Sequence, residues 1–106
     1  MKESSFKQKL ILEIEELFPE CLILNNDANS LQGIPDLQIL NGDKWAMLET
    51  KRTTSASRRA NQEYYIALFN HMSYASFVYP ENKEQVLDEL QSALRSTRRT
   101  RISIGK

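Results

Sequence analysis

From Phe6 to Phe18 the apolar residues Phe6, Leu10, Ile11, Ile14, Leu17 and Phe18 recur at three- and four-residue intervals. That rhythm predicts an amphipathic helix over residues 4–18, which Pro19 stops. Glu15 and Glu16 fall away from the apolar stripe, and Glu13 stands at its edge. Glu3 is different: it precedes Leu10 by seven residues and Leu17 by fourteen, so at about 100° per residue it falls on the stripe itself. A carboxylate there is either frayed into solvent at the helix end or aimed at something that attracts charge. Cys21-Leu22-Ile23-Leu24 then reads as a short strand, and residues 25–30 as a polar loop.

Two further strands follow, Asp36-Leu37-Gln38-Ile39-Leu40 and Lys44-Trp45-Ala46-Met47-Leu48-Glu49-Thr50, joined by the turn Asn41-Gly42-Asp43. Pro35 suits the start of a strand, where a missing N–H costs no ladder bond, and Gly33 gives backbone freedom just before it. Arg52-Thr53-Thr54-Ser55-Ala56-Ser57 is a polar connection. It leads to a predicted helix over residues 57–71 with Tyr65, Leu68 and Phe69 inward. Tyr74-Ala75-Ser76-Phe77-Val78-Tyr79 is the fourth strand, ended by Pro80. A last helix over residues 81–96 carries Val86, Leu87, Leu90, Ala93 and Leu94 at helical spacing. The order is helix, three strands, helix, strand, helix: one α/β domain spanning residues 1–106, with no internal repeat.

The hairpin gives this order a chemical meaning. Asp36 opens one strand and Glu49 closes the next, so antiparallel pairing brings both carboxylates to one end of the sheet. Lys51, two residues beyond Glu49, faces the same way. Hydrolysis of a phosphodiester needs charge stabilisation on the phosphoryl oxygens, an activated water and a stabilised leaving oxygen, and a hard divalent cation supplies all three. Mg²⁺ is commonly held by one or two carboxylates plus substrate phosphate, which fits Asp36 and Glu49 with a main-chain carbonyl from Thr50. Lys51 would orient or deprotonate the attacking water, or neutralise charge on the phosphate.

Charge distribution adds the partner. The net charge is zero, yet residues 1–50 carry four Lys/Arg against nine Asp/Glu and residues 51–106 carry ten against five. The basic residues gather at Lys51, Arg52, Arg58 and Arg59, and again at Arg95, Arg98, Arg99, Arg101 and Lys106. Such clusters suit DNA phosphates, whose neutralisation releases counterions; the plainer alternative for residues 97–106 is a solvated basic tail. Hydrophobic residues make up 41% and charged residues 26%, as in ordinary globular proteins. No apolar run is long enough for a membrane span. Met1-Lys2-Glu3-Ser4-Ser5 leads into a charged helix rather than the apolar region of a signal peptide. The single Cys21 reads as a core residue of a protein in a reducing cytoplasm. His71, with no second histidine to join it, reads as a helix-end residue, and Tyr64, Tyr65, Tyr74 and Tyr79 as packing rather than base-stacking residues.

Gly33-Ile34-Pro35-Asp36 followed by Leu48-Glu49-Thr50-Lys51 resembles the signature of the PD-(D/E)XK nuclease superfamily. The order of elements is similar to that superfamily's restriction-endonuclease-like αβββαβ core, over most of the chain. The pattern most resembles the small stand-alone VRR-NUC-type nucleases of phages and bacteria, with Holliday junction resolvases among the wider relatives. The resemblance implies site residues at Glu3, Asp36, Glu49, Lys51 and Gln62, of which Glu3 becomes a third metal carboxylate; Gln62 is otherwise a surface helix residue. It implies a Mg²⁺ or Mn²⁺ cofactor, and a homodimer acting on branched, junction or flap DNA gripped by Arg52, Arg58, Arg59, Arg98, Arg99 and Arg101. It also implies a bacterial cell or phage-infected host. The chain departs from the pattern at Asn70-His71-Met72-Ser73, where a glycine is usual before the fourth strand. The competing expectation is a non-catalytic nucleic-acid-binding or assembly protein on the same fold.

Overall fold

The computed structural model describes residues 3–26 and 31–95, with Glu3 described by its backbone alone. Helix α1 spans Glu3–Leu17, strand β1 Leu22–Asn25, β2 Leu37–Asn41 and β3 Lys44–Thr50. Helix α2 spans Ala60–Met72, β4 Tyr74–Val78 and α3 Lys83–Ala93. The four strands form one mixed sheet in the order β1-β2-β3-β4: the first three are antiparallel, and β4 runs parallel to β3. The protein is therefore α/β, a four-stranded mixed sheet flanked by three helices and compatible with an αβββαβ core.

The β2–β3 hairpin closes as its sequence predicts. Asn41 pairs with Lys44, leaving Gly42-Asp43 as a two-residue loop, and Gly42 has a φ of 64°. Glycine with positive φ at the first loop position matches the type II′ turn, whose twist suits antiparallel strands. The hairpin fixes the register Leu37↔Leu48 and hence sets Asp36 opposite Glu49. Alternation then divides the sheet into two faces. Leu37, Ile39, Ala46, Leu48 and Val78 point to one, where Phe6, Leu10 and Ile14 of α1 and Val86, Leu87 and Leu90 of α3 complete a closed apolar core with Leu94. Cys21 and Phe18 pack partly buried at its margin.

On the opposite face α2 lies across β3 and β4. It covers Met47, Ala75 and Phe77 and sets the Phe69 ring edge-on to Trp45 at a centroid distance of 6.1 Å. Tyr65 stacks on Phe69. Leu68, expected inward, is exposed instead, as are Tyr64 and Met72 on the same helical stripe. Leu17 is also exposed, because α1 ends as it reaches the rim of the core.

Element boundaries differ from the periodic reading at two arginines and one proline. Arg58 and Arg59 are not helical: α2 begins at Ala60, and Arg59 is its extended N-cap residue. Pro80 does not simply end β4; it opens a 3₁₀ turn, Pro80–Asn82, that feeds α3. That is a position where a proline's fixed φ and missing N–H fit. Asn82 accepts from the Tyr79 N–H and donates to the Phe77 carbonyl, which secures the turn. The absent glycine before β4 has a physical account as well. Ser73 leaves the helix at φ −151° with its N–H on the Phe69 carbonyl, so no left-handed residue is required there.

Candidate active site at the end of the sheet

Two carboxylates sit side by side where β2 begins and β3 ends, and each is held by the other's strand. Glu49 Oε1 accepts the Asp36 N–H at 3.2 Å. In return Asp36 Oδ1 accepts the Thr50 N–H at 3.1 Å and Asp36 Oδ2 the Thr50 hydroxyl at 2.6 Å. Charge-assisted bonds of this kind fix both groups in place. Thr50 is fully buried and Glu49 nearly so.

The loop before Asp36 is shaped for this purpose. Gly33 has a φ of 91°, and a Cβ there would come within 2.7 Å of the Asn61 side chain on α2. Only glycine satisfies both the conformation and that close approach. Asn26 at the end of β1 donates its side-chain N–H to the Pro35 carbonyl at 2.9 Å and its main-chain N–H to the Asp36 carbonyl at 2.9 Å. Asn26 thus clamps the Pro-Asp step, while Asn61 of α2 donates to the Gln32 carbonyl and holds the loop just before it.

Helix α2 contributes Gln62. Its Nε2 donates to Glu49 Oε2 at 3.3 Å, and its Oε1 accepts both the Lys51 ammonium at 2.9 Å and the Arg59 N–H at 3.1 Å. One amide therefore ties together a carboxylate, an amine and its own helix's N-terminus. The Lys51 Nζ lies 4.0 Å from Glu49 Oε2, with only 12% of its side chain exposed. Glu49 and Lys51 flank Thr50 on one strand face, as alternation requires.

A residue not singled out by motif also enters. The Lys7 ammonium of α1 lies 3.4 Å from Asp36 Oδ2, on the side of the sheet opposite Gln62. The signal was present in the helical pattern: Lys7 precedes Ile14 by seven residues, which sets it about 20° from a fully buried side chain. A lysine on the apolar stripe is the same kind of anomaly as Glu3. Asn26, by contrast, has no sequence signal beyond following a strand.

The arginines divide. Arg58 lies with its guanidinium 4.1 Å from the centre of the Phe77 ring and also donates to the Tyr79 hydroxyl. Phe77 is the β4 neighbour of Glu49, so Arg58 stands one strand away from the carboxylates on the same face. Arg52 and Arg59 are exposed on the connection between β3 and α2. Arg98, Arg99, Arg101 and the rest of residues 97–106 lie outside the described residues, as does the side chain of Glu3. His71 is exposed near the end of α2, away from the carboxylates.

Asp36, Glu49, Thr50, Lys51 and Gln62 are thus brought together by the fold. Among the described residues no three His, Cys, Asp or Glu side chains gather closely enough to enclose a metal ion by themselves. The donor set is two hard carboxylates at a partly open sheet end with amines on either flank. It fits an oxygen-preferring cation that keeps several waters and completes its shell with substrate, rather than a closed protein cage. Among the described residues no helix is long and apolar enough to cross a membrane. Comparison with known protein families, with curated proteins and with solved structures returns no match.

Proposed function

We propose that this chain is a divalent-metal-dependent DNA endonuclease of the PD-(D/E)XK kind. The observation that carries the reading is the paired Asp36 and Glu49 at the sheet end, with Lys51 and Gln62 bonded to one another beside Glu49. Mg²⁺ or Mn²⁺ would be held by Asp36, Glu49 and the main-chain carbonyl of Thr50, with Glu3 as a candidate third carboxylate. When bound, it would supply Lewis-acid stabilisation of the phosphoryl oxygens and a more acidic water.

The chain's own groups account for the remaining steps. Thr50 holds the Asp36 carboxylate in a single orientation, through both its N–H and its hydroxyl. Gln62 holds Lys51 in position and leaves two of the three ammonium protons for other acceptors. Lys51 thereby meets either the attacking water or a phosphate oxygen at the mouth of the site. Arg58, stiffened by the Phe77 ring, and the exposed Arg52 and Arg59 offer guanidinium groups to the phosphates on either side. On this reading these groups meet phosphates, and recognition would rest on backbone shape, consistent with branched, junction or flap substrates.

The test is a panel of four-way junction, flap, single-stranded and duplex DNA incubated with Mg²⁺, Mn²⁺ or EDTA. Cleavage with either cation and none in EDTA is expected, with loss of cleavage but retained DNA binding in Asp36→Ala and Lys51→Ala. Metal-independent binding with no product from any substrate would instead establish a non-catalytic nucleic-acid-binding protein.

A further inference from the structure

The carboxylate pair is bracketed by two ammonium groups, and they are not held alike. Lys51 is fixed on the α2 side by a 2.9 Å bond to Gln62. Lys7 approaches from α1, on the core side, and among the described residues its polar partner is Asp36 Oδ2 at 3.4 Å. Its side chain keeps 27% exposure, so a four-carbon stem of ordinary flexibility carries the charge toward open solvent. Asp36 Oδ2 also accepts the Thr50 hydroxyl, and Oδ1 accepts the Thr50 N–H. An ammonium and a divalent cation placed on that same carboxylate would repel each other at close range.

We propose that Lys7 is the resting counter-ion of Asp36. A divalent cation displaces its ammonium, which then takes a phosphate of the DNA passing over the α1 side of the sheet end. This rests on the metal-dependent reading above and assigns Lys7 a role that the motif residues do not cover. The consequence is a coupling: metal entry frees a phosphate-binding group, and an approaching phosphate draws Lys7 away from the metal position. Each ligand therefore favours the other, as reciprocal linkage requires.

Two variants and two readouts test it. Lys7→Met keeps the stem and removes the charge, while Lys7→Arg keeps the charge. In calorimetric titration with Mn²⁺ alone, Lys7→Met should bind roughly three- to fivefold more tightly than the parent protein, the scale of one partly exposed ion pair. Lys7→Arg should stay close to the parent. In DNA binding with Ca²⁺ as the divalent ion, Lys7→Met should lower the slope of log affinity against log salt by about 0.9, the loss of one phosphate contact. In EDTA, where no cation competes with Lys7 for Asp36, the change of slope should be clearly smaller. Equal or weaker Mn²⁺ binding by Lys7→Met overturns the counter-ion role, and an equal change of slope in Ca²⁺ and EDTA overturns the metal-gated release. Absence of Mn²⁺ binding in parent and variants alike overturns the metal-dependent reading itself, and this proposal with it.

Discussion

The two faces of the sheet are built in different ways. On the α1 and α3 side, Leu10, Ile14, Leu37, Ile39, Leu48, Val86 and Leu90 are all at most 2% exposed and form one closed cluster. On the α2 side the helix has no fully buried residue; it is held by the Trp45–Phe69 ring contact and by polar bonds from Asn61, Gln62 and Asn70. Apolar burial supplies most folding free energy, at about 25 cal/mol per Å². The first face therefore carries the stability. The second face carries a helix whose polar bonds reach the carboxylates. Chemistry gathers at the rim between them, where Asp36 and Glu49 are rigid yet remain within reach of solvent.

The sharpest way to break this division is to change a rim group without touching the core. Lys51→Met should lower DNA cleavage by roughly 10²- to 10⁴-fold, the usual weight of a positioned proton-transfer or charge-stabilising group. The unfolding midpoint should barely move. A large fall in thermal stability with unaltered cleavage per folded molecule would show that Lys51 is a structural residue.

The complementary change is Leu90→Ala, which empties a fully buried position on α3. A loss of about 2–5 kcal/mol is expected in urea unfolding, from lost transfer energy and the residual cavity. Below the transition, cleavage per folded molecule should match the parent. If Leu90→Ala instead abolishes cleavage while the protein remains folded, core and rim are coupled and the division fails.

Gly33→Ala strikes between the faces. A φ of 91° and a 2.7 Å approach to Asn61 mean that an alanine must shift either the loop or α2. The expected cost is about 1–3 kcal/mol. A shift at Gly33 also moves Pro35 and Asp36, so cleavage should fall as well. Crystal structures of parent and variant with an unmoved Asp36 would remove that explanation.

Much of this architecture is legible in the sequence, and the failures have physical causes. The Asn-Gly-Asp turn and the alternation of Leu37, Ile39, Ala46 and Leu48 are local signals, so the hairpin and its register could be read directly. The site of Asp36, Glu49, Thr50 and Lys51 follows from that register. Gln62 comes from the resemblance alone, because a single polar residue in a helix does not reveal what lies across from it; the fold sets it beside Glu49 and Lys51. The start of α2 was misplaced because Arg58 is drawn onto the Phe77 and Tyr79 rings, a long-range contact no local pattern records. Leu68 shares an exposed stripe of α2 with Tyr64 and Met72, and apolar spacing along one helix does not reveal which stripe meets the sheet. Leu22 and Leu24 are exposed on β1, the edge strand farthest from the β3 and β4 strands on which α2 packs.

The smallest effect compares two ion pairs of similar exposure. Lys83 on α3 meets Glu13 on α1 at 3.0 Å, and Lys7 meets Asp36 at 3.4 Å. The Glu13 hydrogen bond is the main reason the Lys83 ammonium titrates above the usual lysine range. Because the folded value is raised, its contribution is complete below the ordinary lysine value and is lost as pH rises through the folded one. Solvent screening keeps that contribution small, so Lys83→Met should cost less than about 1 kcal/mol near neutral pH and leave cleavage and its salt dependence unchanged. The difference in stability between parent and variant should shrink further in strongly alkaline solution. Lys7→Met should be just as mild toward stability, while altering metal and DNA binding. A loss above about 2 kcal/mol in Lys83→Met would mean that the α1–α3 contact depends on its surface charges. The core face would then owe less to burial than the geometry of Leu10, Ile14 and Leu90 implies.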